Sequence, residues 1–265
     1  MKKKVIPFIF IVLMLIVYLV VKYVSNNMPS LQTNNIDKNY ITKLEVPPHV
    51  KNYNWTIDKG IIIKEVFIPV NPVMQRPELP QGCEIVALTA VLNTYGYNVT
   101  KTELADTYLP KTPFSYKNGK LIGPNPYVTY AGNPRSEKGF FTYAPPIIDA
   151  AKHYLNNVKG NEQPLDISGS KKEDIIDFLN KGIPVVIWVT LDLGKPKLNY
   201  SWYIEDTDEK FIAPVNSHTV VLNGYDEKNV YAMNPLEGQM TYNIDTFFNS
   251  YLELGSHAMV VDKNI

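Results

Sequence analysis

Seventeen residues without a charge, Val5–Val21, follow directly on Met1-Lys2-Lys3-Lys4 and end at Lys22. No other stretch restricts the chain so strongly. As a helix at about 1.5 Å per residue the run spans roughly 25 Å, enough for a hydrocarbon core if Lys22 snorkels. Pro7 falls in the first turn, where a missing N–H costs least. Lysines ahead of the run are expected to stay cytoplasmic, which exports everything after Lys22. The competing reading is a cleaved signal peptide. Its apolar region is usually about 7–15 residues and ends at a small-x-small site. Lys22-Tyr23-Val24-Ser25-Asn26 is a poor site of that kind, which favours an uncleaved anchor over residues 1–25.

Charge follows the same division. The chain holds 26 Lys+Arg and 26 Asp+Glu, but residues 1–22 contain four Lys and no acid, so the remainder carries −4. A mildly acidic exported region lacks the clustered positive charge of a phosphate-binding surface, and nucleic acid is not an expected partner. One Cys makes no intramolecular disulfide and no multi-cysteine metal centre. There is no Walker A loop, no GxGxxG and no HExxH, so no cofactor and no metal are expected.

Residues 26–60 are rich in Asn, Lys, Thr and Pro without sustained periodicity, and read as a stalk. Residues 61–265 then form one domain. Ile61–Val70 is apolar and β-branched, a first strand. Ile85, Leu88, Val91, Leu92 and Tyr95 define a helix opening at Cys83 and closing at Gly96. Thr100-Lys101-Thr102-Glu103 and Ser170-Lys171-Lys172-Glu173 are capping boxes, and Pro145-Pro146 begin another helix. Residues 111–144 are Gly-, Pro-, Asn- and Tyr-rich and are expected to be a long loop, with aromatic residues between Phe114 and Tyr143 available to line a groove. Pro184–Thr190, Ser217–Gly224, Asn229–Met233 and His257–Val261 read as strands. Helices first and strands later predict an α+β fold with a mostly antiparallel sheet.

Chemistry centres on Cys83. A lone Cys is commonly a small buried hydrophobe. This one follows the turn-forming Leu79-Pro80-Gln81-Gly82 and opens a helix, where free N–H groups and the dipole favour thiolate. Gly82 would let a substrate backbone approach. A thiolate nucleophile needs a general base, and His218, heading the strand His218-Thr219-Val220-Val221-Leu222, is the best candidate. His257 is a rival, His49 lies in the stalk and His153 on a helix. Glu84 would oppose a thiolate if it pointed inward, although a first-turn carboxylate ordinarily serves the helix dipole. Trp188 is expected in the core and Trp202 at the cleft.

Gln75-Arg76-Pro77-Glu78-Leu79-Pro80-Gln81-Gly82-Cys83-Glu84, Gly132-Asn133-Pro134-Arg135-Ser136, Tyr143-Ala144-Pro145-Pro146-Ile147 and His218–Asp226 with Val230–Pro235 together resemble the bacterial C39-like cysteine peptidases, over about residues 66–262. The resemblance implies a papain-like fold, which the Val5–Val21 run is expected to precede with one transmembrane helix. It makes Cys83 the nucleophile, His218 the base and later acid, and Gln75 the oxyanion-hole amide, with Gln81 as a substitute. Where the family commonly has Asp before Pro, this chain has Asn234 as orienter of the imidazole, with Asp226 the fallback. The implied activity is a membrane-anchored, extracytoplasmic cysteine peptidase that cleaves peptide bonds in a surface protein or cell-wall peptide. A secreted form, a catalytically silent binding module and a thiol acyltransferase are the alternatives.

Overall fold

The computed structural model describes residues 55–57 and 61–263. The anchor expected over residues 1–25, nearly all of the stalk and His49 lie outside the described residues. Among the described residues no helix is long and apolar enough to cross a membrane.

In chain order the strands are β1 (Trp55–Ile57), β2 (Ile61–Ile63), β3 (Val66–Phe67), β4 (Lys111–Thr112), β5 (Ser115–Lys117), β6 (Lys120–Gly123), β7 (Tyr130–Ala131), β8 (Gln163–Asp166), β9 (Val185–Thr190), β10 (Leu198–Ile204), β11 (Lys210–Pro214), β12 (Ser217–Tyr225), β13 (Asn229–Asn234), β14 (Gly238–Asn243) and β15 (Ala258–Asp262). The helices are α1 (Cys83–Thr94), α2 (Lys101–Glu103, continued by a wider π turn over Leu104–Tyr108), α3 (Ala144–Val158), α4 (Lys172–Asn180) and α5 (Ile244–Glu253). The large sheet runs β14-β13-β12-β9-β15-β8 with β3 also on β12. Each of its pairings is antiparallel. The fold is α+β, as the order of helical and strand patterns predicts.

Two of its elements fix the site. Every residue of α1 from Glu84 to Leu92 is buried, so this helix has no solvent face and lies in the core. β12 and β9 are buried on both faces, with Ser217 of β12 the one half-exposed residue. They pair from Ser217↔Thr190 to Leu222↔Val185. Gly224 allows the β3 crossing, because a Cβ there would meet the Val66 carbonyl at 2.3 Å.

Several expectations change. The strand expected over Ile61–Val70 is divided into β2 and β3, and Trp55–Ile57, assigned to the stalk, pairs with Ile61–Ile63. The second capping box shifts by one residue, with Asp174 rather than Glu173 accepting the Lys171 N–H at 3.1 Å. The loop expected over 111–144 contains four short strands. Two of them, β5 and β6, join β10 and β11 in a second sheet. Trp202 is in the interior of that layer at 1% exposure and donates its indole N–H to the Pro124 carbonyl at 2.8 Å. Trp188 is core, as expected, donating to the Thr142 carbonyl at 2.8 Å.

Gly82 has an internal reason for being glycine. A Cβ there would lie 2.7 Å from the Leu79 Cβ, so the turn itself needs the space. Gly82→Ala is expected to lower stability by about 1–3 kcal/mol through overpacking at the start of α1. Urea unfolding followed by tryptophan fluorescence measures it.

Candidate active site

Cys83 is the first residue of α1, half-buried against β12. Its sulfur lies near Thr219, the residue after His218, whose backbone N–H favours thiolate, while the buried Thr219 hydroxyl makes no hydrogen bond among the described residues. Two stronger influences oppose thiolate. Burial pushes the thiol well above its ordinary value, and the neighbouring Glu84 charge pushes it further. The thiolate-favouring helix terminus expected from sequence is therefore overruled by the local environment.

Glu84 points inward at 1% exposure. Its Oε1 accepts the Thr142 N–H at 3.0 Å and its Oε2 accepts the Cys83 thiol at 3.4 Å. Burial raises its carboxyl to about 7 against the hydrogen bonds that hold it down. Glu84 remains the acidic residue of the first turn, with its own N–H also holding the carboxyl down, and it adds a buried contact with the sulfur.

His218, 4% exposed, bonds through Nε2 to Asn234 Oδ1 at 2.8 Å. The Leu236 N–H, which can only donate, also reaches Asn234 Oδ1, at 2.9 Å. Asn234 Nδ2 donates to the Tyr242 hydroxyl at 3.0 Å and to Glu237 Oε2 at 3.3 Å. These partners fix the amide orientation, so Oδ1 must accept from the imidazole. Nε2 then carries the proton and Nδ1 keeps its lone pair. Burial lowers the His218 pKa and the Asn234 bond partly restores it. Burial thus favours the neutral ring, whose lone-pair nitrogen is Nδ1. No hydrogen bond joins Cys83 Sγ to His218 among the described residues; the thiol donates to Glu84.

Gln75, 4% exposed, donates from Nε2 to the Pro80 carbonyl at 2.7 Å, which leaves one amide hydrogen unused, and its Oε1 is buried without a partner. Its backbone N–H bonds the Pro235 carbonyl at 2.9 Å, tying the Gln75 loop to the turn after Asn234. Lys101 clasps the same loop. Its ammonium bonds the carbonyls of Met74, Gln75 and Arg76 at 2.5, 3.4 and 3.5 Å and the Glu78 carboxylate at 2.5 Å. Gln81 is held from both sides, its N–H on the Pro134 carbonyl at 3.1 Å and its own carbonyl accepting the Tyr130 hydroxyl.

The rival residues fall elsewhere. His257 packs between Tyr127 and Tyr143, with ring centroids at 5.6 and 4.0 Å. Burial lowers its pKa to about 4, and it makes no hydrogen bond to Cys83. Asp226 caps its turn, accepting from the N–H groups of Lys228 and Asn229 and from the Tyr231 hydroxyl, at 2.7, 2.7 and 2.6 Å. His153 is exposed on α3. Sequence reasoning missed Thr142, Thr219 and Lys101. Only Lys101 had a local signal, its place in a capping box, and that signal concerned the helix alone.

A cleft of about 720 Å³ opens beside these groups, lined among others by Gln81, Phe114, Phe140, Tyr200, Val215 and Ser217. Neither Cys83 nor His218 lines it, but Ser217 precedes His218 and Gln81 lies two residues before Cys83. Its aromatic wall is stiff, with Phe140 stacked on Tyr200 at 5.0 Å and edge-on to Trp202 at 5.4 Å. Among the described residues no group of three or more His, Cys, Asp or Glu is arranged to hold a metal ion.

Comparison with known proteins agrees with this architecture. The sequence profile of the Peptidase_C39 like family matches residues 67–259. The chain belongs to that family. It is 29% identical over 192 residues to the uncharacterized protein YvpB of Bacillus subtilis (strain 168), covering 72% of each chain. The crystal structure of a candidate C39-like peptidase from Bacillus anthracis superposes with a TM-score of 0.66 and 28% identity, over 76% of this chain and 98% of the other. A double-glycine-motif protease from an AMS/PCAT transporter, solved with its leader peptide, aligns at a TM-score of 0.41 and 14% identity over 79% and 98% of the two chains.

Asn234→Asp is expected to raise the His218 pKa by about one unit or more, since a carboxylate at 2.8 Å stabilises imidazolium. Imidazole NMR titration reads that shift directly. A second expectation concerns stability. Glu84 is raised in the folded state from 4.5 to about 7, so the folded form gains from its protonation. That contribution is complete below about pH 4.5 and is lost as pH rises through about 7, on the order of 3 kcal/mol in all. Comparing urea midpoints of the wild type and Glu84→Gln across this range should show the wild type weakening and the variant unaffected by this group.

Proposed function

We propose that this chain is a membrane-anchored thiol hydrolase of peptide amide bonds, with Cys83 as nucleophile, His218 as base and acid, Asn234 as orienter and Gln75 as oxyanion donor. Membership of the C39-like peptidase family supports peptidase activity. The observation that carries the residue assignment is the bond from His218 Nε2 to an Asn234 amide whose orientation Leu236 fixes. It leaves a basic Nδ1 on the strand against which Cys83 packs. A helix-borne Cys with a His on the neighbouring sheet strand is the papain-like pattern.

In the reaction the thiol proton moves to His218 Nδ1 and sulfur attacks the scissile carbonyl. The oxyanion accepts from the free hydrogen of Gln75 Nε2 and from the Cys83 N–H, which as the first of a helix has no intrahelical acceptor. Imidazolium protonates the leaving amine, and a thioester remains on Cys83. Water activated by His218 then releases the acid. The peptide lies along the aromatic cleft between Gln81 and Ser217. With Val5–Val21 as a single-pass anchor, the domain faces outward, where a surface protein or cell-wall peptide is the substrate class within reach.

A second reading is a silent binding module that keeps the fold. The thiol's bond to Glu84 and its upward-shifted pKa favour it. Labelling of the full chain with an electrophilic cysteine-peptidase probe separates the two. Labelling abolished in Cys83→Ala and reduced at least tenfold in His218→Ala is expected; labelling indifferent to His218 excludes the dyad. Gln75→Ala should lower kcat on a cleaved peptide by about 10²–10³-fold with little change in probe labelling. Product analysis with and without added amine distinguishes hydrolysis from acyl transfer.

A further inference from the structure

Glu84 has no part in the mechanism above, yet its carboxylate is the group to which the nucleophile donates. It is buried, bonded on one side by the Thr142 N–H at 3.0 Å and on the other by the Cys83 thiol at 3.4 Å. We propose that Glu84 is a proton switch for the nucleophile: as a carboxylate it holds Cys83 as a thiol, and as a carboxylic acid it donates to the sulfur and releases the thiol proton to His218. This inference rests on the reading of Cys83 and His218 as a dyad.

The proton count is simple. In the resting form Cys83 is S–H, His218 is neutral and Glu84 is ionised. One proton from solvent binds Glu84 and turns Oε2 from acceptor to donor. The S–H bond then breaks, its electron pair stays on sulfur, and its proton forms the N–H at His218 Nδ1. The reactive form contains Cys83 thiolate, imidazolium and neutral Glu84, one proton more than the resting form. Its population therefore falls as pH rises through the Glu84 midpoint.

The surroundings allow Glu84 to control this equilibrium. From α1 itself the facing titratable group is Cys83. From β7 it is the Tyr130 phenol, neutral because burial and the nearby Glu84 and Cys83 raise it well above its ordinary value. The segment before α3 contributes only the Thr142 N–H, whose carbonyl is occupied by Trp188 of β9. From β12, Thr219 lies on the sulfur and His218 precedes it. Among the described residues no Lys or Arg forms an ion pair with Glu84 to keep it charged. Burial accordingly places its titration at about 7, within reach of ordinary conditions.

Glu84→Gln is a close mimic of the protonated state. The amide oxygen can still accept the Thr142 N–H, and the amide N–H₂ takes the place of the carboxyl donor toward sulfur. The test is the rate of Cys83 alkylation by iodoacetamide in the full chain, across roughly pH 5 to 9. The wild type should lose about tenfold in rate between about pH 6 and 8, before ordinary thiol ionisation raises it again. Glu84→Gln should show no such fall and should react faster than wild type at about pH 8. The same fall in the variant, or slower reaction throughout, overturns the proposal. His218→Ala separates the two claims: reactivity independent of His218 removes the dyad, whereas His218-dependent reactivity with the fall retained in Glu84→Gln removes only the switch. Should Glu84→Gln fail to fold, infrared difference spectra of the wild type decide. A protonated carboxyl lost with the midpoint of the alkylation fall supports the switch, and any other midpoint overturns it.

Discussion

A helix buried on every side must emerge somewhere, and where it emerges its first residue inherits two environments. α1 is such a helix. Behind Cys83, its side chains from Glu84 to Leu92 are enclosed by the core. Ahead of it, the turn at Leu79–Gly82 is too tight for a Cβ at position 82. The remaining parts of the site are arranged around this fixed point. β12 packs against the helix and brings Thr219, the residue after His218, to the sulfur, β13 carries Asn234 to the imidazole, and the Gln75 loop is bonded to the Pro235 carbonyl. Burial of this kind gives precise placement, but it also withdraws the water that would stabilise a thiolate.

That conflict explains why the electrostatics of the site diverge from a helix-terminus argument. Free N–H groups at a helix start contribute at most a kcal/mol or two. Desolvation of a thiolate and a carboxylate beside it weigh more, and both raise the thiol. Asn234 gives the imidazole an acceptor but no charge, so the site has no permanent counter-charge for imidazolium within its direct hydrogen bonds. Ionisation of Cys83 and His218 then depends on what else around them is neutral or charged at a given moment.

Elements with strong local periodicity were legible in the sequence. α1 was found from Leu88, Val91, Leu92 and Tyr95, and β9 from an unbroken apolar run, because burial leaves a direct trace in residue type. Cys83, His218, Gln75 and Asn234 were named from a combination of chemistry and resemblance, and the contact between His218 and Asn234 joins two strands that already read as neighbours. Less legible were features made by pairing across distance. β5 and β6 have no apolar alternation, since their residues between 115 and 122 are exposed or half-buried, and only pairing with β10 gives them a place. α5 is capped by Asn243, whose side chain accepts the Thr246 N–H, but its aromatic run resembles a strand as much as a helix. The inward turn of Glu84 was also hidden, because its partner Thr142 lies 58 residues away in a segment without period.

The bond between the Gln75 N–H and the Pro235 carbonyl has a temporal consequence. Gln75 and Cys83 come from the start of the domain and His218 and Asn234 from near its end, and the strap that seats Gln75 closes on the residue after Asn234. A chain emerging from the ribosome at about 5–20 residues per second carries its thiol for on the order of ten seconds before His218 and Asn234 exist. During that interval the cysteine is an unassisted thiol. Only when the C-terminal strands have docked does Cys83 acquire the neighbours Thr219 and the bonded His218–Asn234 pair, so the surroundings of the thiol are set by the last steps of folding.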